Sequence, residues 1–517
     1  MSQEHLDDLL EQLQEREKQL QSKDRLKKQQ EKGKLSVRER IELLVDKGSF
    51  REIGAFRQPQ GSYYKNGNVR QIDGDGVVVG YATVHERPII LYAQDFTQVG
   101  GSLGKAHAEK IVQGIELALQ SKCPVVGLLD SGGARIQEGV AALEGYAEIF
   151  QKHVQASGII PQISLLLGPC AGGASYSPAL TDFVFMVEGI SSMFITGPRV
   201  IEKVTGEKPS LDELGGTAIH CAQSGVAHGA FTDERTCFSS VRKLLQMLPP
   251  YFESKQHLLP QNDSKHRLNE GLRTLVPDSA NKPYDMKEVI AEIFDNGSFF
   301  ELHQEYAKNV VVGFAVLHDQ VVGVVANQTQ QMAGCLDIDA SDKIARFVRF
   351  CDAFRISLIN LVDTPGYLPG VEQEHQGIVR HGAKVLYAYA EATVPKIALV
   401  LRKAFGGAYI AMAGKSLGYD FTFAWPLAQI AVMGAEQAVE VLYAKQLAVA
   451  EHPEELFEEK VQEYEQTIMH PFAAAEQGYI DRIIRPEQTR VELIRALELL
   501  RGKEVVGRRK RHGNMPV

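Results

Sequence analysis

Pro161–Ala179 reads PQISLLLGPCAGGASYSPA. An apolar run long enough for a buried strand leads into adjacent Gly172 and Gly173, and the residues after them could open a helix. Adjacent glycines give up backbone entropy, so the position must need them. Bare N–H groups at a helix start, with the helix dipole behind them, form an anion site. Aimed at developing negative charge, such donors form an oxyanion hole, each worth about 3 kcal/mol. Close strand–helix packing is the competing use of the same glycines.

The stretch occurs twice. PKIALVLRKAFGGAYIAMAG starts at Pro395, so Pro161 matches Pro395 and Gly172 matches Gly406, both 234 residues apart. CPVVGLLDSGG from Cys123 resembles RISLINLVDTPG from Arg355, placing Asp363 opposite Asp130 (363 − 130 = 233). TDFVFMVEGISSMFITGP from Thr181 resembles YDFTFAWPLAQIAVMGA from Tyr419, with Asp182 opposite Asp420 (420 − 182 = 238). A near-constant offset over motifs in one order points to two homologous domains, and a duplicated glycine pair favours the anion-site reading over packing.

Around these motifs, β-rich runs such as GVVVGYATV and PIILYAQDF alternate with helical stretches such as KAHAEKIVQGIELALQ. That pattern predicts an α/β fold with buried, largely parallel strands. Residues 1–32 read as an amphipathic helix, with Leu6, Leu9, Leu10, Leu13 and Leu20 on a stripe expected to lie on the domain surface rather than in a dimer contact. Ser36 with Glu39 is a capping box opening the next helix. The expected division is a helix at 1–32, a first domain at 33–255, a Pro/Asn/Asp/Ser-rich linker at 256–282, a second domain at 283–505 and a basic tail at 506–517.

Composition narrows the function. The chain has 517 residues, with 44% hydrophobic and 23% charged residues, as in soluble globular proteins. A net charge of −9 argues against a nucleic-acid binder; the short basic tail is expected to be solvated or docked on a partner. The six cysteines include no C-x-x-C pair and suit a reducing, cytoplasmic setting. No membrane span is expected, and the dispersed histidines offer no metal-ligand pattern. VGGSLGKA fails as a P-loop because Val99 and Ala106 stand where Gly and Ser/Thr are needed. GDGVVVG misses the dinucleotide spacing, and Asp130 and Ser131 of DSGG read as strand-end loop residues without a histidine base nearby. What remains is two anion sites without an obvious protein base, metal or covalent nucleophile, which suits chemistry in which substrates bring the reactive groups and the protein stabilises enolates.

Longer motifs carry a resemblance: AQDFTQVGGSLGKAHAEKI, DSGGARIQEGV, GPCAGGASYSPALTDF, ANQTQQMAGCLDIDASDKIARFVRFCDAF, GIVRHGAKVLYAYAEATVPKI and AFGGAYIAMAGKSLG. Over nearly its whole length the chain resembles the carboxyltransferase (β) subunits of biotin-dependent acyl-CoA carboxylases. It is most similar to the propionyl-CoA carboxylase type and to the α subunit of methylmalonyl-CoA decarboxylase. The resemblance implies two tandem crotonase-like (ClpP/crotonase) domains, acyl-CoA on the first and biotin on the second. It also implies a homo-hexamer, a trimer of dimers, with active sites at the dimer interface. Gly172 and Gly173 would hold a thioester enolate, with Ala171 beside them; Gly407 and Ala408, with Gly406, would hold the biotin oxygen. The freed biotin nitrogen would serve as the base. Ile410, where propionyl-preferring relatives often carry Asp, would line the acyl pocket and leaves the acyl group open. No biotin-attachment AMKM motif and no ATP-grasp loop occur, so biotin carboxylase and a biotin carrier are expected as partners. The alternatives are a decarboxylase subunit feeding a membrane Na+ pump and, more remotely, a non-catalytic scaffold.

Overall fold

The computed structural model describes the chain except residues 1–2, 21–28, 30, 32, 60–63, 66–67, 70–72, 255–258, 260–262, 506–509 and 511. It divides into two compact units, Met1–Ser254 and Lys255–Val517.

Unit 1 begins with α1 (Gln3–Leu20) and α2 (Val37–Leu44). The Ser36–Glu39 capping box starts α2 reciprocally: Glu39 N–H donates to Ser36 Oγ, and Ser36 N–H to Glu39 Oε2. An eight-stranded sheet follows. Its strands are β1 (Arg51–Ile53), β2 (Val77–Val84), β3 (Arg87–Gln94), β4 (Val125–Ser131), β5 (Gln162–Ala171), β6 (Phe183–Val187), β7 (Ser192–Phe194) and β8 (Gly229–Phe231). The order is β1-β2-β3-β4-β5-β6-β8, with β7 beside β5. β1, β2 and β3 pair antiparallel; β3 onward is parallel. Two long helices, α3 (Lys105–Ser121) and α4 (Val140–Ala156), cross between parallel strands, and α5 (Gly173–Ala179) starts where β5 ends. The apolar runs of β4 and β5 are buried on both faces, as a helix-covered parallel sheet requires.

Unit 2 repeats this order. Its sheet comprises β9 (Phe300–Leu302), β10 (Val310–Leu317), β11 (Gln320–Asn327), β12 (Ser357–Thr364), β13 (Lys396–Phe405), β14 (Phe421–Ala424), β15 (Gln429–Ala431) and β16 (Arg482–Ile483). The order β9-β10-β11-β12-β13-β14-β16, with β15 beside β13, matches unit 1 strand for strand. The helices α6 (Ile338–Ala353), α7 (Ile378–Glu391) and α8 (Gly406–Ala413) stand where α3, α4 and α5 stand in unit 1.

Three expectations need correction. Helix α1 ends at Leu20, and Leu6, Leu9, Leu10 and Leu13 are 41–56% exposed, so this stripe is not laid on the domain surface. Much of the expected linker is packed structure. Asn269 is fully buried and bonded to Glu292 O, Glu487 O and Arg490 N–H, and Leu272 and Val276 join the unit 2 core. Asp130 and Ser131 are not loop residues: they end β4 and are fully buried. The rest of the 1–32 helix, of the linker and of the basic tail falls partly outside the described residues; within the tail, Lys510 pairs with Glu391.

Candidate active site: two helix starts with duplicated glycines

In unit 1, Gly172 stands between β5 and α5 at φ 61°, ψ −128°, a conformation that glycine adopts without a Cβ penalty. Its N–H donates to Phe194 O of β7 at 3.0 Å. Gly172 is therefore a hinge whose N–H is already used, which corrects the expectation of two glycine donors. Gly173 opens α5, so its N–H has no carbonyl to reach within the helix. Ala171 closes the strand before them.

A second donor lies on the neighbouring loop. After β4 the chain runs Gly132-Gly133-Ala134-Arg135, stitched to the loop before α3: Leu103 N–H donates to Gly133 O and Arg135 N–H to Leu103 O, both at 2.9 Å. The Ala134 N–H between them makes no backbone bond among the described residues. A Cβ on Gly133 (φ 99°) would sit 2.8 Å from Ala171 O, so this loop is pressed against the end of β5. Arg135, fully buried, fixes the loop through Asp75, Glu138 Oε1 (2.8 Å) and Ser102 O (2.9 Å). The Tyr146 ring of α4 packs against Gly173.

Unit 2 builds the same constellation. Gly406 (φ 56°) opens α8, followed by Gly407 and Ala408, so all three belong to the helix's first turn. Leu336 N–H donates to Gly366 O at 3.0 Å and Leu368 N–H to Leu336 O at 2.8 Å, leaving the Tyr367 N–H without a backbone bond among the described residues. Tyr367 stands opposite Ala134 (367 − 134 = 233). Its ring fills the space against Gly407 that Tyr146 fills against Gly173, and burial pushes its phenol up to about 12. Ile410, in the second turn of α8, is half exposed. Ala134 and Tyr367 carry no side-chain signature of these unbonded N–H groups; only the repeat offset could have paired them.

Burial shifts the two buried histidines near these elements toward the neutral form. Burial lowers His107 to about 3, and its Nδ1 donates to Asp75 O at 2.9 Å. His153, also lowered by burial, is held between Gln162 Oε1 and Ser177 Oγ. No cluster of His, Cys, Asp and Glu that could hold a metal occurs among the described residues. Nor is any helix there long and apolar enough to cross a membrane. None of the six cysteines is in a disulfide. Each unit thus presents a helix start and an adjacent loop N–H, an arrangement suited to binding an oxyanion.

Comparison with known proteins decides the family: the carboxyl transferase domain model matches residues 28–515. The chain belongs to the carboxyl transferase family. This carboxyl transferase is 49% identical over 493 residues to the propionyl-CoA carboxylase beta chain of Cereibacter sphaeroides, covering 95% of the chain and 96% of the relative. It is 48% identical over 493 residues to the methylmalonyl-CoA decarboxylase subunit alpha of Veillonella parvula, covering 95% of each. Among solved structures, it matches the transcarboxylase 12S hexamer with methylmalonyl-coenzyme A and methylmalonic acid bound. The TM-score is 0.95, with 46% identity and 98% of each chain covered. The twin sheets are thus the crotonase-like α/β fold of carboxyltransferases.

Proposed function

We propose that the chain is the carboxyltransferase subunit of a biotin-dependent acyl-CoA carboxylase, moving CO2 from carboxybiotin on a separate carrier to the α-carbon of propionyl-CoA to give methylmalonyl-CoA. The observation that carries the reading is the duplicated site: in each unit a glycine-led helix start lies beside a loop N–H, giving one chain two places for an oxyanion. The propionyl-CoA carboxylase relatives and the methylmalonyl-CoA-bound neighbour support the substrate class.

In this reading the first site holds the thioester oxygen as the α-proton leaves. Gly173 N–H supplies one donor and Ala134 N–H the other, while Gly172 sets the turn and Ala171 the strand edge. The second site, at Gly406, Gly407 and Ala408 with Tyr367 N–H, suits a neutral carbonyl oxygen that gains negative charge, as the ureido oxygen of biotin does. Biotin, when bound, supplies the carboxyl group and then the nitrogen that takes the proton, so no protein base is required. Ile410 lines the acyl pocket. The apolar residues exposed on these loops and helices, Val140, Leu143 and Ile136 in unit 1 and Val371, Val379 and Val432 in unit 2, suit coverage by a second copy. That agrees with a homo-hexamer built as a trimer of dimers, and transcarboxylase 12S is named as a hexamer assembly. Biotin carboxylase and a biotin carrier would complete the enzyme, in the cytoplasm.

An apolar residue at Ile410 and the Veillonella relative favour a second reading, the carboxyltransferase subunit of a methylmalonyl-CoA decarboxylase. A panel of acetyl-, propionyl-, butyryl- and methylmalonyl-CoA with reconstituted biotin partners separates them. ATP-dependent carboxylation, fastest with propionyl-CoA, supports the first reading. Turnover of methylmalonyl-CoA alone supports the second, and inactivity with every thioester would favour a scaffold.

A further inference from the structure

The strand that carries each glycine pair loses register with its neighbour at the same place in both units. Leu129 of β4 faces Leu166 of β5, yet two residues later Ser131 faces Cys170. Val362 of β12 faces Val400 of β13, and Thr364 faces Ala404. Each glycine-bearing strand therefore arches, with three residues over one, and the residue beneath is Asp130 in unit 1 and Asp363 in unit 2. Both aspartates are fully buried.

The carboxylate fills the arch, but the two units neutralise it differently. In unit 2 the arch contains Arg402 and Lys403. Lys403 N–H donates to Asp363 Oδ1 at 3.1 Å and Arg402 Nε to Oδ2 at 3.0 Å. The corresponding residues of unit 1 are Gly168 and Pro169, each 234 earlier. Proline has no N–H, and Asp130 Oδ1 makes no hydrogen bond among the described residues. A Cβ on Gly168 would overlap Asp130 Oδ1 and stand 2.6 Å from Lys34 Nζ. The cations come instead from before the sheet: Lys34 Nζ reaches Asp130 Oδ2 at 2.6 Å and Arg40 Nη1 at 3.0 Å. Arg40 Nη2 also donates to Leu167 O at 2.7 Å, tying the arch to the aspartate, and Glu234 holds its Nε at 2.7 Å. A carboxylate at this depth is tolerable only when paired. What the two units share is the aspartate–cation pair inside the arch, not the source of the cation.

We propose that Asp130 and Asp363 are positioning residues. By seating the arch, each sets the place where the helix that begins within four residues presents its first N–H groups. The proposal rests on the reading of the glycine pairs as oxyanion sites. Small displacements matter there, since about 1 Å of misplacement costs on the order of a hundredfold in rate.

The test uses the purified full-length chain and the transfer of carboxyl from methylmalonyl-CoA to free biotin. Asp130→Asn with Lys34→Met removes one charge of each sign and leaves Arg40 paired with Glu234, so no surplus charge stays buried. The expected result is cooperative melting, a kcat lowered at least about tenfold and a KM for methylmalonyl-CoA within about twofold, the signature of an interaction made in the transition state. A wild-type kcat in a cooperatively melting variant, or a loss confined to KM, overturns the proposal. Should that pair fail to fold, Asp363→Asn with Arg402→Met, which again removes one charge of each sign and leaves an amide oxygen to accept from Lys403 N–H, is read by the same criteria. Gly173→Val is measured alongside. If it keeps wild-type turnover, the glycine reading fails; if it is inactive while the Asp130 variant is normal, only the positioning role fails.

Discussion

Alanine at Gly173 and alanine at Gly407 are chemically the same change at equivalent places, and the structure gives them different outcomes. A Cβ on Gly173 would stand 2.7 Å from Tyr146 Cδ2 and 2.9 Å from Cε2. Ordinary contact begins at 3.4 Å, so ring or helix start must yield about 0.7 Å. Tyr146 is only 4% exposed and has little room to turn. Overpacking of this kind costs about 1–3 kcal/mol of stability. The N–H is displaced rather than deleted, so the loss should be part of the roughly hundredfold that removing a donor causes; we expect kcat lowered about 10- to 100-fold. At Gly407 the same methyl would meet the Tyr367 ring at 3.4 and 3.5 Å, an ordinary contact. Gly407→Ala should therefore stay within about threefold of wild type. The assay follows propionyl-CoA released from methylmalonyl-CoA in the presence of free biotin, with melting curves for both variants. A Gly173→Ala protein with wild-type kcat and stability, or Gly407→Ala as the more damaging change, would falsify the reasoning.

Three further outcomes follow from single residues. Gly101 sits at φ 61°, and a Cβ there would collide with Asp130 O; Gly101→Ala should destabilise the chain by about 3 kcal/mol or more in denaturant melts, and an unchanged midpoint contradicts this. Burial lowers Lys343 to about 7, although its Nζ donates to the carbonyls of His303, Tyr306, Ala307 and Val310. An unfolded lysine titrates near about 10.4, so between these values the unfolded chain binds more protons, and this group's contribution to stability is least below pH 7 and rises with pH. The stability difference between wild type and Lys343→Met should then grow by up to about 1.4 kcal/mol per pH unit from pH 7 to 9; a flat difference means the lysine stays charged. Ile410→Asp should lower kcat/KM for butyryl-CoA relative to propionyl-CoA by about tenfold, since a charge disfavours the longer apolar chain; an unchanged ratio removes Ile410 from the acyl pocket.

The sequence made the repeated strand–glycine–helix unit readable because its signals are local: an apolar run, two glycines and a fixed offset between copies. The Ser36–Glu39 cap was readable for the same reason. Ala134 and Tyr367 were not, because a backbone N–H leaves no mark in the side chain that happens to occupy the position. Asp130 looked like a loop residue because its partners, Lys34 and Arg40, lie 96 and 90 residues away in the chain and meet it only through the folded sheet. The use of Gly172 N–H by Phe194 O depends on β7 returning beside β5, which no short-range pattern specifies. Helix α1 kept its predicted type and lost its predicted packing, since periodicity reports a stripe and not what covers it.

The most direct test is whether this chain, without ATP, metal or partner subunits, moves a carboxyl group between an acyl-CoA and biotin. Purified protein incubated with methylmalonyl-CoA should form propionyl-CoA at a rate that rises with added free biotin, and Gly173→Val should abolish it. Biotin-independent turnover, or no transfer from either malonyl- or methylmalonyl-CoA by a folded protein, would contradict the account.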